Sequence, residues 1–229
     1  MVDEASALAS RLAHRLKKRG WTISTAESCT GGLLSSLLTD ISGASSWFLE
    51  GWVVYTNESK SRELGVAKSS FGEGADGAVS NKVAVQMARG ARYKSGSNVS
   101  VAITGIAGPA IADSDKEVGR VHVAVIAEDF FLARRMDFGL NDRLDNKRSF
   151  AAFALRLTLE TFDRLVSDEK KEKSRNKTSK ESDSDETSPS DDGQSSEEWE
   201  GVISWDSDED AISRSLGKVD LASLTDWDE

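Results

Sequence analysis

Up to about residue 165, the hydrophobic positions change period from 3.6 to 2 and back several times, as they do where helices alternate with strands. Leu8, Leu12 and Leu16 recur four apart within residues 3–19 and predict an amphipathic helix that Gly20 stops. Residues 21–25 alternate like a half-buried strand, and Leu33, Leu34, Leu37 and Leu38 return to helical spacing, predicting a helix to about Asp40 and a 41–46 connection. Gly51-Trp52-Val53-Val54-Tyr55-Thr56 is rich in β-formers and predicts a second strand. Asn57 is placed to cap a short helix through Leu64. After the glycines at 72, 74 and 77, Ser80 is placed to cap another, whose buried stripe is Val83, Met87, Ala88 and Ala91.

Val99, Val101 and Ile103 alternate with Ser100, Ala102 and Thr104, predicting a strand that runs into Gly105-Ile106-Ala107-Gly108-Pro109. Strands at about 118–126 and 131–138 read as a hairpin joined at Glu128 and Asp129, with Val121, Val123 and Val125 on one side. A closing helix from about Asp142 sets Leu144, Ala151, Leu155, Thr158, Phe162 and Leu165 on one face. Strands alternating with helices, plus one hairpin, predict an α/β fold: a three-layer α/β/α sandwich with a mixed, mostly parallel sheet.

From Ser167 the pattern fails, and composition explains why. Residues 168–229 hold 20 acidic and 8 basic residues, leaving 19 acidic and 21 basic in residues 1–167, so the net charge of −10 belongs to the tail. The tail is rich in serine and nearly devoid of aliphatic periodicity, and it cannot bury enough surface to offset its ordering entropy. The expected organisation is therefore one folded domain, 1–167, and a disordered acidic tail, 168–229. The near-neutral body gives no argument for broad nucleic-acid binding, which would want basic residues clustered on one face. Cys29 is the only cysteine, which rules out an internal disulfide and a thiolate metal site and points to a reducing compartment. His14 and His122 have no partner at metal-ligand spacing, so no metal site is expected. The amino terminus carries Asp3 and Glu4 without an apolar run, and nowhere do ~18 apolar residues follow one another. The expectation is a soluble cytoplasmic protein that contacts neither membrane nor nucleic acid, with oligomeric state left open.

The densest chemistry is in Thr25-Ala26-Glu27-Ser28-Cys29-Thr30-Gly31-Gly32, at the predicted junction of a strand's carboxyl end with a helix's amino end. Ligands collect there in open α/β sheets, and the first helical turn offers free N–H groups. Three further blocks follow in order: Tyr55-Thr56-Asn57-Glu58-Ser59-Lys60, Gly77-Ala78-Val79-Ser80 and Thr104-Gly105-Ile106-Ala107-Gly108-Pro109. Together they resemble the C-terminal domain of the competence-damage-inducible (CinA) protein family, over about residues 5–166. The resemblance does not extend to the larger N-terminal domain that many members carry. It implies an α/β/α sandwich that hydrolyses the carboxamide of nicotinamide mononucleotide to nicotinate mononucleotide and ammonia. It further implies Ser28 as nucleophile, Lys60 and Tyr55 in proton transfer, and Thr104, with its neighbour Gly105, and Arg143 lining the site.

The physical case runs alongside. A serine hydroxyl needs a base within reach, no histidine lies in a plausible loop, and Lys60 is the best remaining candidate. Near the start of its helix, unpaired N–H groups favour the neutral amine. Lowering a lysine from about 10.4 to near 7 takes roughly 4–5 kcal/mol, more than a helix end supplies, so desolvation or a second cation such as Arg143 must contribute. Tyr55 is an alternative relay. The N–H groups of Thr30, Gly31 and Gly32 are the expected donors to the amide oxygen, with an acyl-enzyme on Ser28 resolved by water. Cys29 is the competing nucleophile. Ordinary uses stand beside each role: Ser28 or Thr30 as helix caps, Cys29 as a small buried residue, Lys60 as a surface charge, Tyr55 as sheet packing.

The chain also departs from the family pattern. Where members continue the Gly108-Pro109 loop with glycines and a lysine-proline pair, residues 110–117 read Ala-Ile-Ala-Asp-Ser-Asp-Lys-Glu; Asp76 stands where histidine is common; and Gly139-Leu140-Asn141 replaces a proline-glycine turn. These changes support a rival expectation, a fold kept as an interaction module acting through its tail. Trp199, Trp205 and Trp227 each lie among acidic residues and resemble the tryptophan-acidic peptides by which cargo adaptors bind kinesin light chains. Ser182, Ser184 and Ser207 precede acidic residues and resemble acidophilic kinase sites. A solubilising tail is the simpler use.

Overall fold

In this computed structural model the structure describes residues 4–108, 117–128, 130–140 and 142–181. The chain divides into two units, Met1–Lys170 and Lys171–Glu229, and the second is described only as far as Glu181. The main elements are α1 (Glu4–Arg19), β1 (Ile23–Glu27), α2 (Leu33–Thr39), β2 (Phe48–Val53), α3 (Asn57–Leu64), α4 (Asn81–Ser95), β3 (Val99–Gly105), β4 (Arg120–Ala127), β5 (Phe130–Asp137) and α5 (Arg143–Glu181). Short 3₁₀ turns at Ala44–Ser46 and Lys68–Ser70 complete the connections.

The five strands lie in the order β2-β1-β3-β4-β5. β1 pairs parallel with β2 and β3, and β4 pairs antiparallel with both β3 and β5, so four strands share one direction and β4 alone opposes them. Side-chain alternation divides the core between the two faces. Ile23, Val99, Val101, Ile103, Val121, Val123 and Val125 pack with Leu8, Leu12 and Leu16 of α1, Leu34 and Leu38 of α2, and Phe150, Leu155 and Phe162 of α5. On the opposite face Ala26, Ala102, Ala124 and Ile126 meet Leu64 of α3 and Val83, Ala84, Met87, Ala88 and Ala91 of α4. Apart from Ile126, the buried strand residues named there are alanines, and Ser100 Oγ donates to the Ala88 carbonyl at 2.7 Å, which brings α4 close to the sheet. The result is the expected α/β/α sandwich with a mixed, mostly parallel sheet.

Boundaries moved where caps decided them. β2 ends at Val53, earlier than the composition suggests, because Thr56 and not Asn57 caps α3: its hydroxyl accepts the Ser59 N–H while Ser59 Oγ accepts the Thr56 N–H. Ser80 caps α4 as expected, accepting the Val83 N–H. Leu144, expected on the buried face of the last helix, is 59% exposed. α5 also runs past its expected close near Leu165 to Glu181. Residues 168–181 hold no apolar side chain, and Glu, Lys and Arg, good helix formers, make up most of them, so the helix continues without apolar periodicity. Expectations for residues 182–229, including the three tryptophan peptides and the serine sites, and for loop residues 109–116, Asp129 and Asn141, lie outside the described residues.

Candidate active site

β1 ends on Glu27, and the chain turns at once. Ser28 N–H donates to the Ile103 carbonyl of β3 at 3.0 Å, and Gly31 N–H closes the turn onto the Ser28 carbonyl at 3.0 Å. Gly31 and Gly32 take φ of +62° and +95°, a region other residues enter at a cost, so the turn requires its glycines. Glu27 has a role that reading the sequence did not assign. Fully buried, its carboxylate accepts the N–H groups of Gly32 at 3.1 Å, Leu34 at 3.0 Å and Ser35 at 2.8 Å, and the Ser35 hydroxyl at 2.6 Å. The amino end of α2 is thus already neutralised from within the protein. This corrects the oxyanion expectation: the Gly31 and Gly32 amides are engaged, and Thr30, though its N–H has no acceptor among the described residues, is not on the cavity wall. Cys29 is on that wall, next to Ser28, and its amide likewise has no backbone acceptor among the described residues.

α3 supplies the amine. Its capping box fixes the first turn, and from the fourth helical residue Lys60 extends Nζ to 3.0 Å from Ser28 Oγ and 3.2 Å from the Tyr55 carbonyl. Lys60 is 2% exposed. Burial lowers its pKa from 10.5 to about 8, opposed by the nearby Cys29 sulfur. Desolvation, rather than Arg143, is therefore what lowers the amine's pKa. Burial acts oppositely on the neighbouring thiol, pushing Cys29 up to about 12 with help from the Glu27 charge, so Cys29 stays protonated and a poor nucleophile.

A cavity of about 660 Å³ opens over Ser28 and Lys60. Tyr55 stands at its rim, 55% exposed, where its hydroxyl accepts from Arg143 at 2.7 Å. Its contact with Lys60 runs through its backbone carbonyl, so the proton-relay expectation for the phenol finds no contact to carry it. Arg143 also donates to the Gly108 carbonyl, and Asn146, fully buried, donates to the Ala107 carbonyl at 3.1 Å. The start of α5 therefore holds the 105–108 loop against the cavity. Thr104 lines the wall but donates its hydroxyl to the Ala78 carbonyl at 2.8 Å, tying the Gly77-Ala78-Val79-Ser80 block to the end of β3. At Gly105 a Cβ would come within 2.6 Å of the Arg120 carbonyl and 3.2 Å of Cys29 Sγ, which explains the glycine. Asn57, expected only as a helix cap, and Asp76, noted only as standing where histidine is common, also line the cavity. Among the described residues no cluster of His, Cys, Asp or Glu could hold a metal ion, and no helix is long and apolar enough to cross a membrane.

The sequence profile of the CinA C-terminal domain matches residues 5–162, the stretch that contains all of this geometry. The chain belongs to the CinA C-terminal domain family. The CinA-like protein of Geotalea daltonii is 44% identical over 152 residues, covering 66% of this chain and 36% of that protein. The CinA-like protein of Chloroherpeton thalassium is 42% identical over 157 residues, covering 67% and 37%. The chain thus spans about a third of the length of the curated relatives it matches. Among solved structures, the competence/damage inducible protein CihA from Agrobacterium tumefaciens superposes with a TM-score of 0.66 at 39% identity, over 69% of this chain and 95% of that one. The CinA superfamily protein from Escherichia coli gives 0.65 at 32% identity, over 69% and 90%. In this CinA domain the motif residues that converge on one cavity are Ser28, Tyr55, Lys60, Thr104, Gly105 and Arg143, while Thr30, Gly31 and Gly32 shape the turn behind it.

Proposed function

We propose that the domain is a serine amidohydrolase that converts nicotinamide mononucleotide to nicotinate mononucleotide and ammonia. The observation that carries this reading is the buried amine of Lys60, at 3.0 Å from Ser28 Oγ and with a pKa brought down to about 8. An amine in that state takes the hydroxyl proton as Ser28 attacks the carboxamide carbon, and returns it to the departing ammonia. Cys29 lies on the cavity wall next to the nucleophile, and a backbone donor there would serve the oxyanion. Water then attacks the acyl-enzyme, Lys60 again accepting the proton, and the carboxylate product leaves. The pyridinium ring assists by withdrawing electrons from its carboxamide.

The full chain should therefore release ammonia and nicotinate mononucleotide in equal amounts, and Lys60→Ala should lower kcat by about 10²–10⁴-fold without unfolding the protein. No product from nicotinamide mononucleotide over a range of pH would dispose of the reading.

A further inference from the structure

Thr56 caps α3, which leaves the side chain of Asn57, the first residue of the helix, without a hydrogen-bond partner among the described residues. Asn57 lines the Ser28–Lys60 cavity and lies three residues before Lys60, on the same side of the helix. The Lys60 side chain leans back toward the start of α3, as helical side chains do, and its Nζ reaches the Tyr55 carbonyl at 3.2 Å and Ser28 Oγ at 3.0 Å. The amine therefore ends beside the turn on which Asn57 stands. The other side-chain oxygens on the cavity wall are engaged: Ser28 by Lys60, the Tyr55 hydroxyl by Arg143, the Thr104 hydroxyl by the Ala78 carbonyl, and Asp76 by an interaction of its own. Asn57 Oδ1 is the open acceptor.

A primary carboxamide makes two demands on a site that cleaves it. Its oxygen takes the developing charge, and its nitrogen brings two N–H donors that give up water on entry and need an acceptor. That nitrogen must also face Lys60, which protonates it as ammonia departs. We propose that Asn57 is a substrate-binding residue whose Oδ1 accepts one N–H of the scissile carboxamide and holds the leaving nitrogen toward Lys60 Nζ. The carboxylate product has no N–H to offer and sets its own oxygens against Oδ1. Asn57 therefore separates amide from acid and loosens its hold once the bond is broken. This rests on the amidase reading above and names how that site recognises the amide.

Steady-state kinetics on the full chain test it with nicotinamide mononucleotide and the methyl ester of nicotinate mononucleotide, which presents the same carbonyl without an N–H, comparing the parent with Asn57→Ala and Asn57→Asp. Loss of one hydrogen bond should lower kcat/KM for the amide in Asn57→Ala by about three- to tenfold relative to the ester, while Asn57→Asp, which keeps the acceptor, stays within about twofold of the parent's amide-to-ester ratio. Changes in Lys60 basicity or in the fold act on both substrates and leave that ratio alone. A ratio unchanged in Asn57→Ala, or lowered as far in Asn57→Asp, overturns the assignment. If the parent does not hydrolyse the amide, the amidase reading fails by itself; in that case, or if the ester alone is inert, calorimetry decides the contact. The parent should then bind nicotinamide mononucleotide in preference to nicotinate mononucleotide, and the preference should fall at least about threefold in Asn57→Ala. An unchanged preference, no preference in the parent or no binding to it overturns the assignment.

Discussion

Lys60 concentrates the conflict between stability and chemistry in this domain. Its pKa falls from 10.5 to about 8 on burial, which corresponds to ~3 kcal/mol of disfavour for the charged amine. Between those two values the unfolded chain holds the proton that the folded chain has lost, so stability should climb as pH rises through that window. Below about pH 8 the whole penalty remains. Lys60→Met should accordingly raise the unfolding free energy at pH 7 by about 1–3 kcal/mol in urea titrations, while removing the base. In the parent, kcat/KM should increase with pH to a half-maximal value near 8. Glu27 carries the opposite balance. Replacing it with glutamine leaves buried N–H groups of Gly32, Leu34 and Ser35 without their charged acceptor, and should cost about 2 kcal/mol along with a fall in kcat as the Ser28 turn loosens. Ser28 and Lys60 were legible from their motif blocks. Glu27 was not, because its meaning is a reach forward onto the helix that its own turn begins, and no spacing rule distinguishes that from an ordinary buried strand residue.

At the level of elements, the close fit of α3 on α4 holds Lys60 in place. A Cβ on Gly90, midway along α4, would lie 2.0 Å from the Leu64 carbonyl at the end of α3. Helix propensity alone would make Gly90→Ala favourable by about 1 kcal/mol. The backbone collision should reverse the sign, giving a loss of more than about 2 kcal/mol by thermal or urea unfolding and a lower kcat as α3 shifts. Every periodic segment in the sequence became the element it predicted, because the two-sided core rewards those periods directly. Termini were less legible. The capping box at Thr56 and Ser59 set where β2 stops, and the charged run after Leu165 extended α5 by local propensity. The amide donors near Ser28 were misjudged for a related reason: a glycine's N–H looks free in sequence until the residue that caps it is located in space.

Over the whole molecule, the cavity forms where the carboxyl ends of β1 and β3 meet the starts of α3 and α5, the edge where open α/β sheets place their ligands. All the groups assigned to chemistry fall between Glu27 and Arg143, within the first unit. A chain ending at residue 181 should therefore retain kcat/KM for nicotinamide mononucleotide within about twofold of the full chain. The location of the site in sequence was legible because four short blocks recur in order; its depth was not, since burial of Lys60 depends on packing contributed by the rest of the sandwich. The central claim is that Ser28, and not the adjacent thiol, attacks the amide. Ammonia release by Ser28→Ala and Cys29→Ala, measured side by side on the full chain, tests it most directly. Ser28→Ala should lose at least about a thousandfold in kcat while Cys29→Ala stays within about tenfold of the parent. Substantial turnover by Ser28→Ala, or its loss only in Cys29→Ala, would contradict the account.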